Sequence, residues 1–456
     1  MPTFVTRSRQ AQPIWSIAAA DYGSWLKTQA VDIRQWLTHT GFRATAGKFA
    51  RIPGAGRRQP GVLLILPDRV GTFAFAELPR ALGAGVFRLA TAMSARDATM
   101  AAVGWGLGTY RYQRYKRNGN GHASLVWPAN ADRTRAEHLI EAHTLVRDLI
   151  NTPTEDMGPD ALAANVKQVA RAFGAKVQVI VGADLLRRNF PAIHAVGRAA
   201  AREPRLIDLR WGPADAPKLT LVGKGVCFDS GGLDIKPASG MRWMKKDMGG
   251  AATALGLAQL IMASQLRVRL RVLIPAVENA IAGNAYRPGD VIRTRKGLSV
   301  EIGNTDAEGR VILCDALALA DEEAPELLLD FATLTGAARV ALGPELAALF
   351  TDDDQLAEDV TRFGSSHDDP VWRLPLWAPY RRMIDSKFAD ITNSSDSGFG
   401  GAITAALFLK EFVTRSQAWA HFDLFAWNDS DKPGRPYGGE AMTMRALFGL
   451  LEDRYG

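Results

Sequence analysis

The sequence predicts an α/β fold with a small N-terminal α/β domain and a larger C-terminal α/β domain whose central sheet is mixed and mostly parallel. Two observations carry this prediction. Apolar runs of strand length alternate with runs of helical period on both sides of residue 130, most regularly from residue 154 onward. The length of 456 residues, with 47% hydrophobic residues, suffices for two or three domains with buried cores.

The N-terminal domain is assigned to residues 1–130. The run GVLLILPD (61–68) is typical of a buried strand, whereas WLKTQAVDIRQWL (25–37) has the spacing of an amphipathic helix. The polar, glycine-rich stretch RNGNGH (117–122) fits the end of this domain.

Part of the N-terminal domain is strongly basic. Much of the net charge of +7 comes from RIPGAGRR (51–58) and RYQRYKR (111–117). We interpret the second stretch as a solvated helix face from which Tyr110, Tyr112 and Tyr115 pack inward. A nucleic-acid-binding patch is the alternative, and no zinc-finger, recognition-helix or RNA-binding signature supports it.

A helix is predicted between the two domains. The stretch RTRAEHLIEAHTLVRDLINTP (133–153) has a helical period and ends at a proline, which cannot continue a helix. We therefore assign residues 131–153 to a linker helix and residues 154–456 to the second domain.

The second domain alternates strands and helices along its length. Such alternation predicts an open α/β sheet with helices on both faces. The predicted elements are, in order, strand AKVQVIVG, strand KLTLVGKG, a helix over 247–265, strand RVRLRVLIPAVEN, strand LSVEIGN, a helix over 309–324 and strand ELLLDFATL.

Neither export nor a membrane-spanning segment is indicated. The N-terminus has no continuous apolar segment, and no stretch approaches the roughly 18 uninterrupted apolar residues that span a bilayer. The two cysteines, Cys227 and Cys314, lie within apolar runs and suit a reducing compartment better than a disulfide framework. We therefore predict a cytoplasmic protein with no membrane partner.

The stretch NTDAEGR (304–310) carries charged residues at alternate positions. Side chains at i, i+2 and i+4 share a face in extended chain, so Asp306, Glu308 and Arg310 can point into one site if the stretch ends a strand. The apolar run VILCDALALA that follows has helical length. The stretch is therefore predicted to be a strand-to-helix turn, where α/β proteins gather catalytic groups.

A second motif, LVGKGVCFDSGGLDIKPASGMRWMKKDMGG (221–250), supplies further charged residues at strand ends. They are Lys224, Asp229, Lys236 and Asp247, the last at the start of a predicted helix. Together the two motifs bring four carboxylates and three basic side chains to one edge of the sheet. Four uncompensated carboxylates in one buried cleft would repel one another, so a cationic partner is required.

Two divalent cations match that requirement. They would balance four carboxylates and leave Lys236 and Arg310 free to face an anion or a developing oxyanion. Oxygen ligands without a histidine or cysteine cluster suit Mn²⁺ or Mg²⁺ and also accept Zn²⁺. Because a water shared by two metal ions is acidified towards neutral pH, the predicted chemistry is hydrolysis. An ordinary salt-bridge network at helix starts is the alternative.

Other catalytic motifs are absent from the sequence. None of the seven histidines forms HExxH, no GxSxG occurs, and Gly223-Lys224 lacks the upstream glycine of a phosphate-binding loop. The glycines of GWGLG (104–108) lie within a helical pattern and do not follow a strand, which argues against dinucleotide binding.

The stretches NTDAEGR, VGKGVCFDSGGLDIKP and KKDMGGAAT resemble the signatures of the cytosolic leucyl aminopeptidases, the M17 metallopeptidases. The likeness extends through FATLTGAARVALG, GFGGAITAALFLKEFV and WAHFDLFAWN, covers most of residues 135–430 and is faint in the N-terminal third. It implies a small N-terminal domain, a larger catalytic domain, and a metal-dependent aminopeptidase that releases the N-terminal residue of peptides through a water bridged by two metal ions.

The resemblance also implies a role for each charged residue. Lys236 and Arg310 would be catalytic, and Arg310 would hold a bicarbonate ion that relays the proton of the water. The metal ligands would be Asp229 and Glu308 at both ions, Lys224 and Asp247 at the more loosely held ion, and Asp306 at the other. Because an ammonium has no lone pair, Lys224 would bind a metal only after nearby dications had depressed its pKa; its alternative role is an ion pair with Asp229.

Substrate-binding residues are implied in the same way, namely Met244, Asn304, Thr333, Leu334 and Gly336. Three of them, Met244, Thr333 and Gly336, would line a mainly apolar pocket for a first side chain such as Leu or Met, and Leu334 would bind through its backbone. The chain departs from the family after WAHFDL, where FAWN (425–428) replaces smaller residues at the pocket wall.

The family usually assembles as a homohexamer with inward-facing active sites, and the resemblance implies the same assembly here. Some members have a DNA-binding or scaffolding role on the same fold, which is the alternative to catalysis and the one nucleic-acid partner left open. Because a pure scaffold has no physical reason to keep four acids and their basic partners in register, the sequence favours the enzyme and its peptide substrates.

Overall fold

The computed structural model describes residues 3–56, 58–116 and 121–456. Within it the chain forms two compact units. They are Met1–Thr144 with Ser430–Tyr437, and Leu145–Asp429 with Gly438–Gly456. The domain boundaries that we assigned from the sequence stay predictions.

The first unit contains a six-stranded sheet among its described residues, in the spatial order β1-β6-β5-β2-β4-β3, with only β3 antiparallel to its neighbour. The strands are β1 (Phe4–Val5), β2 (Gln12–Ala18), β3 (Phe49–Ile52), β4 (Gly61–Leu66), β5 (Gly85–Leu89) and β6 (Ala123–Val126). The helices are α1 (Tyr22–Thr28), α2 (Val31–His39), α3 (Leu78–Ala81), α4 (Ala95–Thr109) and α5 (Arg133–Asn151), and the division between the units falls within α5.

Helix α4 contains the GWGLG stretch and explains its glycines. A Cβ atom on Gly104 would lie 2.4 Å from the carbonyl oxygen of Thr72, and one on Gly108 would lie 2.1 Å from that of Ala76. The glycines therefore allow a loop to pack directly on the helix backbone. Their role is structural, as the sequence indicated.

The basic stretch that follows α4 is not a helix. The chain leaves the helix at Tyr110, whose ψ of 133° is not helical, and no helix is assigned over residues 110–116. Tyr110 is buried, but Tyr115 is 56% exposed. The predicted helix face with inward tyrosines is therefore wrong. Arg57 and residues 117–120, which belong to the basic and polar stretches named above, lie outside the described residues.

The second unit contains the larger sheet. Its strands are β7 (Lys176–Val181), β8 (Arg205–Trp211), β9 (Lys218–Gly223), β10 (Gly225–Asp229), β11 (Arg269–Asn279), β12 (Val291–Arg293), β13 (Ser299–Glu301), β14 (Leu327–Ala332), β15 (Ala347–Phe350), β16 (Val371–Arg373), β17 (Ile391–Thr392), β18 (Ala418–Asp423), β19 (Trp427–Asn428) and β20 (Gly438–Gly439). Its helices are α6 (Pro159–Ala172), α7 (Asp184–Arg187), α8 (Pro191–Gly197), α9 (Ala238–Met241), α10 (Gly249–Ala263), α11 (Glu308–Asp321), α12 (Gly336–Leu342), α13 (Asp354–Ser366), α14 (Gly401–Lys410) and α15 (Met444–Tyr455).

The central sheet is mixed and mostly parallel, as predicted. Its order is β16-β15-β18-β14-β9-β11-β8-β7, and β10 pairs with the second half of β11. Strands β18, β14, β9 and β11 run parallel, whereas β8 is antiparallel to β11 and β15 is antiparallel to β18. Two small sheets, β12-β13-β17 and β19-β20, complete the described strands.

The middle of the sheet is the core of the second unit. Every residue of β14 is buried, as expected for a parallel strand covered on both faces. Helix α10 packs on β9 and β14, and α11 packs on β9 and β11. A 3-10 helix, Met244–Met248, leads directly into α10. None of the helices in the described part of the chain is long and apolar enough to cross a membrane.

Candidate metal centre

The charged residues predicted from both motifs come together at the carboxyl ends of the central strands. Lys224 follows β9 and Asp229 ends β10. Asp247 lies in the 3-10 helix before α10, and Glu308 is the first residue of α11. The parallel pairing of β9 with β11 and β14 places these strand ends at one edge of the sheet.

The NTDAEGR stretch is a turn followed by a helix start. Strand β13 ends at Glu301, Asp306 lies in the turn, and Glu308 and Arg310 lie in the first turn of α11. The strand-to-helix turn was predicted correctly, but the extended geometry that would have put the three side chains on one face is wrong. The carboxylates of Asp306 and Glu308 lie together because the turn at Asp306 leads directly into the first turn of α11.

Asn393 holds this turn from a distant part of the chain. Its Oδ1 accepts hydrogen bonds from the backbone N–H groups of Gly303 and Asn304, at 2.8 and 3.2 Å. Its Nδ2 donates to the carbonyl of Asn304 at 2.7 Å, and its own carbonyl accepts from Arg310 Nη1 at 2.7 Å. The turn therefore has a fixed shape before any ligand binds.

Three carboxylates form the centre of the site. Asp229, Asp306 and Glu308 each offer a carboxylate oxygen within 4.8 Å of the others. Asp229 and Glu308 are buried, and the Asp306 side chain is 33% exposed. Burial and the charge of Asp229 raise the pKa of Glu308 well above its usual range, and the same causes raise the pKa of Asp306 to about 6. The cluster is short of positive charge.

Glu308 shows this shortage most clearly. Among the described residues, none donates a hydrogen bond to either of its carboxylate oxygens, although Lys224 Nζ lies 2.9 Å from Oε1. A buried carboxylate without donors is costly, and native structures rarely leave one unexplained. Divalent cations satisfy such oxygens directly, so the residues present fit a metal centre.

Lys224 lies between two of the acids. Its Nζ is 2.8 Å from Asp247 Oδ2 and 2.9 Å from Glu308 Oε1. Burial acts to lower the pKa of Lys224, but these carboxylates outweigh burial and raise it. A Cβ atom on Gly309 would lie 2.5 Å from Lys224 Cε, so a larger residue at this position would displace the lysine side chain from its place beside Glu308.

Lys236 bridges the other pair of acids. Its Nζ lies 2.7 Å from Asp229 Oδ2 and 2.5 Å from Asp306 Oδ1. Burial acts to lower the pKa of Lys236, but Asp229 and Glu308 outweigh it, so the pKa is raised. Its side chain is partly exposed, at 14%, whereas that of Lys224 is buried, and both lysines line the cavity described below.

Arg310 is buried beside the acids and is not ion-paired with them. Its guanidinium donates through Nη1 to Asn393, but its Nε has no hydrogen-bond partner among the described residues. Burial lowers the pKa of Arg310 to about 10, so the side chain stays cationic at neutral pH. It can therefore bind an anion.

Side chains that the sequence did not single out support the site. Asn279 Nδ2 donates to Asp229 Oδ1 at 2.8 Å and to the carbonyl of Thr305 at 3.0 Å. Tyr286 donates to the same carbonyl at 2.6 Å. Asp423 accepts hydrogen bonds from the backbone N–H groups of the loop after β14, at 2.9 and 3.1 Å. No local sequence pattern marks these residues, because their hydrogen-bond partners are distant in the sequence.

The site opens into a cavity of about 730 Å³. The predicted substrate-binding residues all line it, namely Met244, Asn304, Thr333, Leu334 and Gly336. Phe425, which the sequence placed at the pocket wall, lines it as well, and so do Lys246 and Arg339, which were not predicted to bind substrate. Burial lowers the pKa of Lys246 to about 8. The cavity wall is therefore less apolar than the sequence suggested.

Comparison with known proteins identifies the family. A profile of the cytosol aminopeptidase family, catalytic domain, matches residues 144–448, and a profile of the M17 aminopeptidase N-terminal domain matches residues 12–128. The chain belongs to the cytosol aminopeptidase family. The family predicted from the three motifs is therefore confirmed, and with it a metal-dependent aminopeptidase that acts on peptides.

Individual aminopeptidases are similar over most of the chain. A probable cytosol aminopeptidase of Xanthobacter autotrophicus is 36% identical over 434 residues, which cover 88% of this chain and 86% of that protein. Peptidase B of Pectobacterium carotovorum is 38% identical, with coverage of 78% and 85%.

Two solved structures of similar proteins confirm the fold. The crystal structure of the cytosol aminopeptidase from Coxiella burnetii is 50% identical and covers 100% of both chains with a TM-score of 0.94. The bottromycin maturation enzyme BotP, solved in complex with Mn, is 35% identical, has a TM-score of 0.87 and covers 97% of this chain and 99% of that chain.

Proposed function

We propose that this aminopeptidase uses two divalent metal ions to hydrolyse the first peptide bond of its substrates. The observation that carries the proposal is the buried Glu308, which lies against two further carboxylates and, in the described part of the chain, accepts no hydrogen bond on either oxygen and is ion-paired only with Lys224. The proposed ligands are Lys224, Asp229, Asp247, Asp306 and Glu308. Two such ions, when bound, would offset the carboxylate charge and acidify a shared water enough for attack on a peptide carbonyl.

Lys236 is the proposed partner of the developing oxyanion. Its ammonium lies at the cavity wall between Asp229 and Asp306, and it would be released from them once cations engage those carboxylates. It can then donate to a carbonyl oxygen that gains negative charge. Lys224, in contrast, is buried and can act as a ligand only as the neutral amine, so it must lose a proton when the site fills.

Arg310 is the proposed holder of bicarbonate. Its guanidinium is buried, charged and incompletely hydrogen-bonded, and it reaches the same cavity as Lys236. A bound bicarbonate could accept the proton of the attacking water and pass it to the leaving amine. Arg310 would fix the position of that anion through paired N–H donors.

Substrate specificity is proposed to arise from the cavity. The free amine of the first residue would bind near Asp247, which confines cleavage to the first peptide bond. Met244, Thr333 and Gly336 would line the pocket for the first side chain, Leu334 would hold the peptide through its backbone, and Asn304 would contact it from the opposite wall. A preference for Leu or Met stays a prediction from the sequence.

The remaining features follow from the relatives. Mn²⁺ is the first metal to test, because BotP was solved in complex with Mn, and Zn²⁺ or Mg²⁺ suits the same oxygen-rich ligands. We also propose a cytoplasmic homohexamer, by analogy with the family. The DNA-binding or scaffolding alternative is not favoured, because all the predicted acids and bases of a hydrolytic site are present and lie at one site.

The test is the product pattern on a defined peptide. A metal-loaded sample should release free amino acids one at a time from the N-terminus, as followed by mass spectrometry, and should not cleave the same peptide after N-acetylation. Chelation should stop the release and Mn²⁺ should restore it. Internal cleavage, or full activity in metal-free protein, would contradict the proposal.

A further inference from the structure

The cavity wall contains a buried lysine, Lys246, that forms no ion pair with any of the described residues. Lys246 is 5% exposed, and among the described residues no carboxylate oxygen lies within ion-pair distance of its Nζ and none accepts a hydrogen bond from it. The ring of Phe425 lies beside this lysine, with its centroid 4.9 Å from Nζ. Asp247 and Asp423 act on this ammonium only from beyond ion-pair distance and do not offset its burial, so its charge is incompletely satisfied.

A second cation contacts the same ring. Arg339 Cζ lies 5.1 Å from the centroid of Phe425, and Arg339 also lines the cavity. Trp243 packs edge-on against Phe425, with 6.1 Å between the ring centroids. Phe425 therefore presents two cations on one wall of the cavity.

This wall adjoins the pocket proposed for the first side chain. Lys246 lies two residues after Met244 in the same 3-10 helix, and Arg339 lies one helical turn after Gly336 in α12. Lys246 also immediately precedes Asp247, near which the substrate amine is proposed to bind. A group that reaches Lys246 from the bound substrate is therefore most simply the first side chain.

We propose that Lys246, with Arg339, makes this pocket selective for an acidic first residue, glutamate or aspartate. The inference rests on the proposed function and revises the apolar preference predicted from the sequence. A carboxylate on the first side chain supplies the partner that Lys246 lacks, and the rings of Phe425 and Trp243 exclude water from the pair. Lys246 is thus a specificity-determining residue that takes no part in the hydrolytic step.

The first test compares substrates that differ only in charge. The metal-loaded protein is assayed with the p-nitroanilides of Glu, Gln and Met, which share one leaving group and have no C-terminal carboxylate. We expect kcat/KM for Glu to exceed that for Gln by about 10-fold or more, because a buried cationic partner discriminates strongly against a neutral isostere. A ratio of one or less overturns the inference.

The second test removes the charge from the wall. Lys246→Met should lower the Glu-to-Gln ratio by about 10- to 100-fold and raise kcat/KM for Met. Lys245→Met is the matched control, because the Lys245 ammonium donates to the carbonyl of Asn151 and does not line the cavity; the ratio should not change. An unchanged ratio in folded Lys246→Met overturns the inference.

Two further measurements test the same inference independently of Lys246→Met. If Lys246→Met does not fold, Arg339→Gln, on an exposed helix position, should still lower the ratio by about 3- to 10-fold, and no change there counts against the proposal. Calorimetry should show that free L-glutamate binds more tightly than L-glutamine. Good hydrolysis of Met with no preference for Glu refutes only this inference, whereas hydrolysis of none of the substrates refutes the proposed function itself.

Discussion

The two ends of helix α11 bury a carboxylate in opposite ways. At its start, Glu308 has no hydrogen-bond donor on either oxygen among the described residues. At its end, Asp321 accepts hydrogen bonds from the backbone N–H groups of Thr414, Arg415 and Ser416, at 2.8 to 3.0 Å. Burial acts to raise the pKa of Asp321, but these donors outweigh it and the pKa is lowered, whereas the pKa of Glu308 is raised.

The difference separates structural acids from ligand-binding acids. The satisfied carboxylate of Asp321 joins the end of α11 to the loop before β18. Removing this carboxylate should lower the stability of the fold and leave the catalytic activity unchanged. The unsatisfied carboxylate of Glu308 destabilises the metal-free fold. A folded protein tolerates such a group where a bound cation stabilises the fold by more than the carboxylate destabilises it. Four predictions test this contrast.

The largest effect is expected at Glu308. Glu308→Gln keeps the shape but removes the charge, so metal content should fall and kcat/KM should drop by at least about 10³-fold. Because Glu308 is buried and repelled by Asp229, at a cost that its ion pair with Lys224 does not offset, the metal-free variant should unfold at the same or a higher temperature than metal-free wild type. Elemental analysis, peptidase assays and thermal unfolding measure these changes. Normal metal content with normal activity would contradict the assignment.

Lys236 should have the next largest effect, with a different signature. Lys236→Met should lower kcat by about 10²- to 10³-fold, because the oxyanion loses a charged donor, while both metal ions stay bound. Asp247→Ala is the comparison, since loss of a ligand should reduce metal content towards one ion per chain. A Lys236→Met protein that has lost metal would show that the lysine holds the site together and does not act on the substrate.

Asp321 should affect stability and not catalysis. Asp321→Ala leaves three backbone N–H groups without their acceptor, so the free energy of unfolding should fall by about 2–4 kcal/mol. Activity per folded molecule should stay near that of wild type, because the residue lies at the far end of α11. Urea unfolding in the presence of chelator, together with active-fraction assays, provides the measurement. A loss of kcat without a loss of stability would contradict the contrast between Asp321 and Glu308.

Asp315, between the two ends of α11, should give the smallest effect, visible only as a pH dependence. Burial raises its pKa to about 7 despite hydrogen bonds from the N–H groups of Ala192, Ile193 and Arg295. Between about pH 4 and pH 7 the folded state therefore keeps the proton on Asp315, whereas the unfolded state has lost it. The contribution of this proton to the free energy of unfolding is complete below about pH 4 and is lost as pH rises through 7. Asp315→Asn should flatten that slope in urea unfolding of chelated protein. If the dependence of the free energy of unfolding on pH does not change, a group other than Asp315 is responsible for it.

Much of the site could be predicted because charged residues in buried strand-helix turns are rare enough to stand out. Lys224, Asp229, Asp306 and Glu308 were identified from two motifs, and they lie together in the structure. What the motifs could not supply was the local geometry. Because alternate spacing also occurs across a turn into a helix, the extended geometry proposed for NTDAEGR was wrong.

The residues that were missed act over long sequence distances. Asn393 shapes the turn at Asn304, and Asn279 holds Asp229, but neither carries a local pattern. Lys246 is one of two adjacent lysines in the sequence, and only the structure distinguishes them, because Lys246 lines the cavity beside Phe425 whereas Lys245 donates to the carbonyl of Asn151. In the fold, α6 and β8 were absent from the predicted order of elements, although Pro159 at the start of α6 is an ordinary helix-start signal.

The central claim is that the unsatisfied acids at the start of α11 hold two divalent ions, and metal stoichiometry tests it most directly. Metal-free protein is titrated with Mn²⁺ by calorimetry, the bound metal is counted by elemental analysis, and peptide hydrolysis is followed on the same samples. The account predicts two ions per chain in wild type and in Asp321→Ala, hydrolysis that appears as they bind, and neither in Glu308→Gln. Hydrolysis without bound metal, or two ions and full activity in Glu308→Gln, would contradict it.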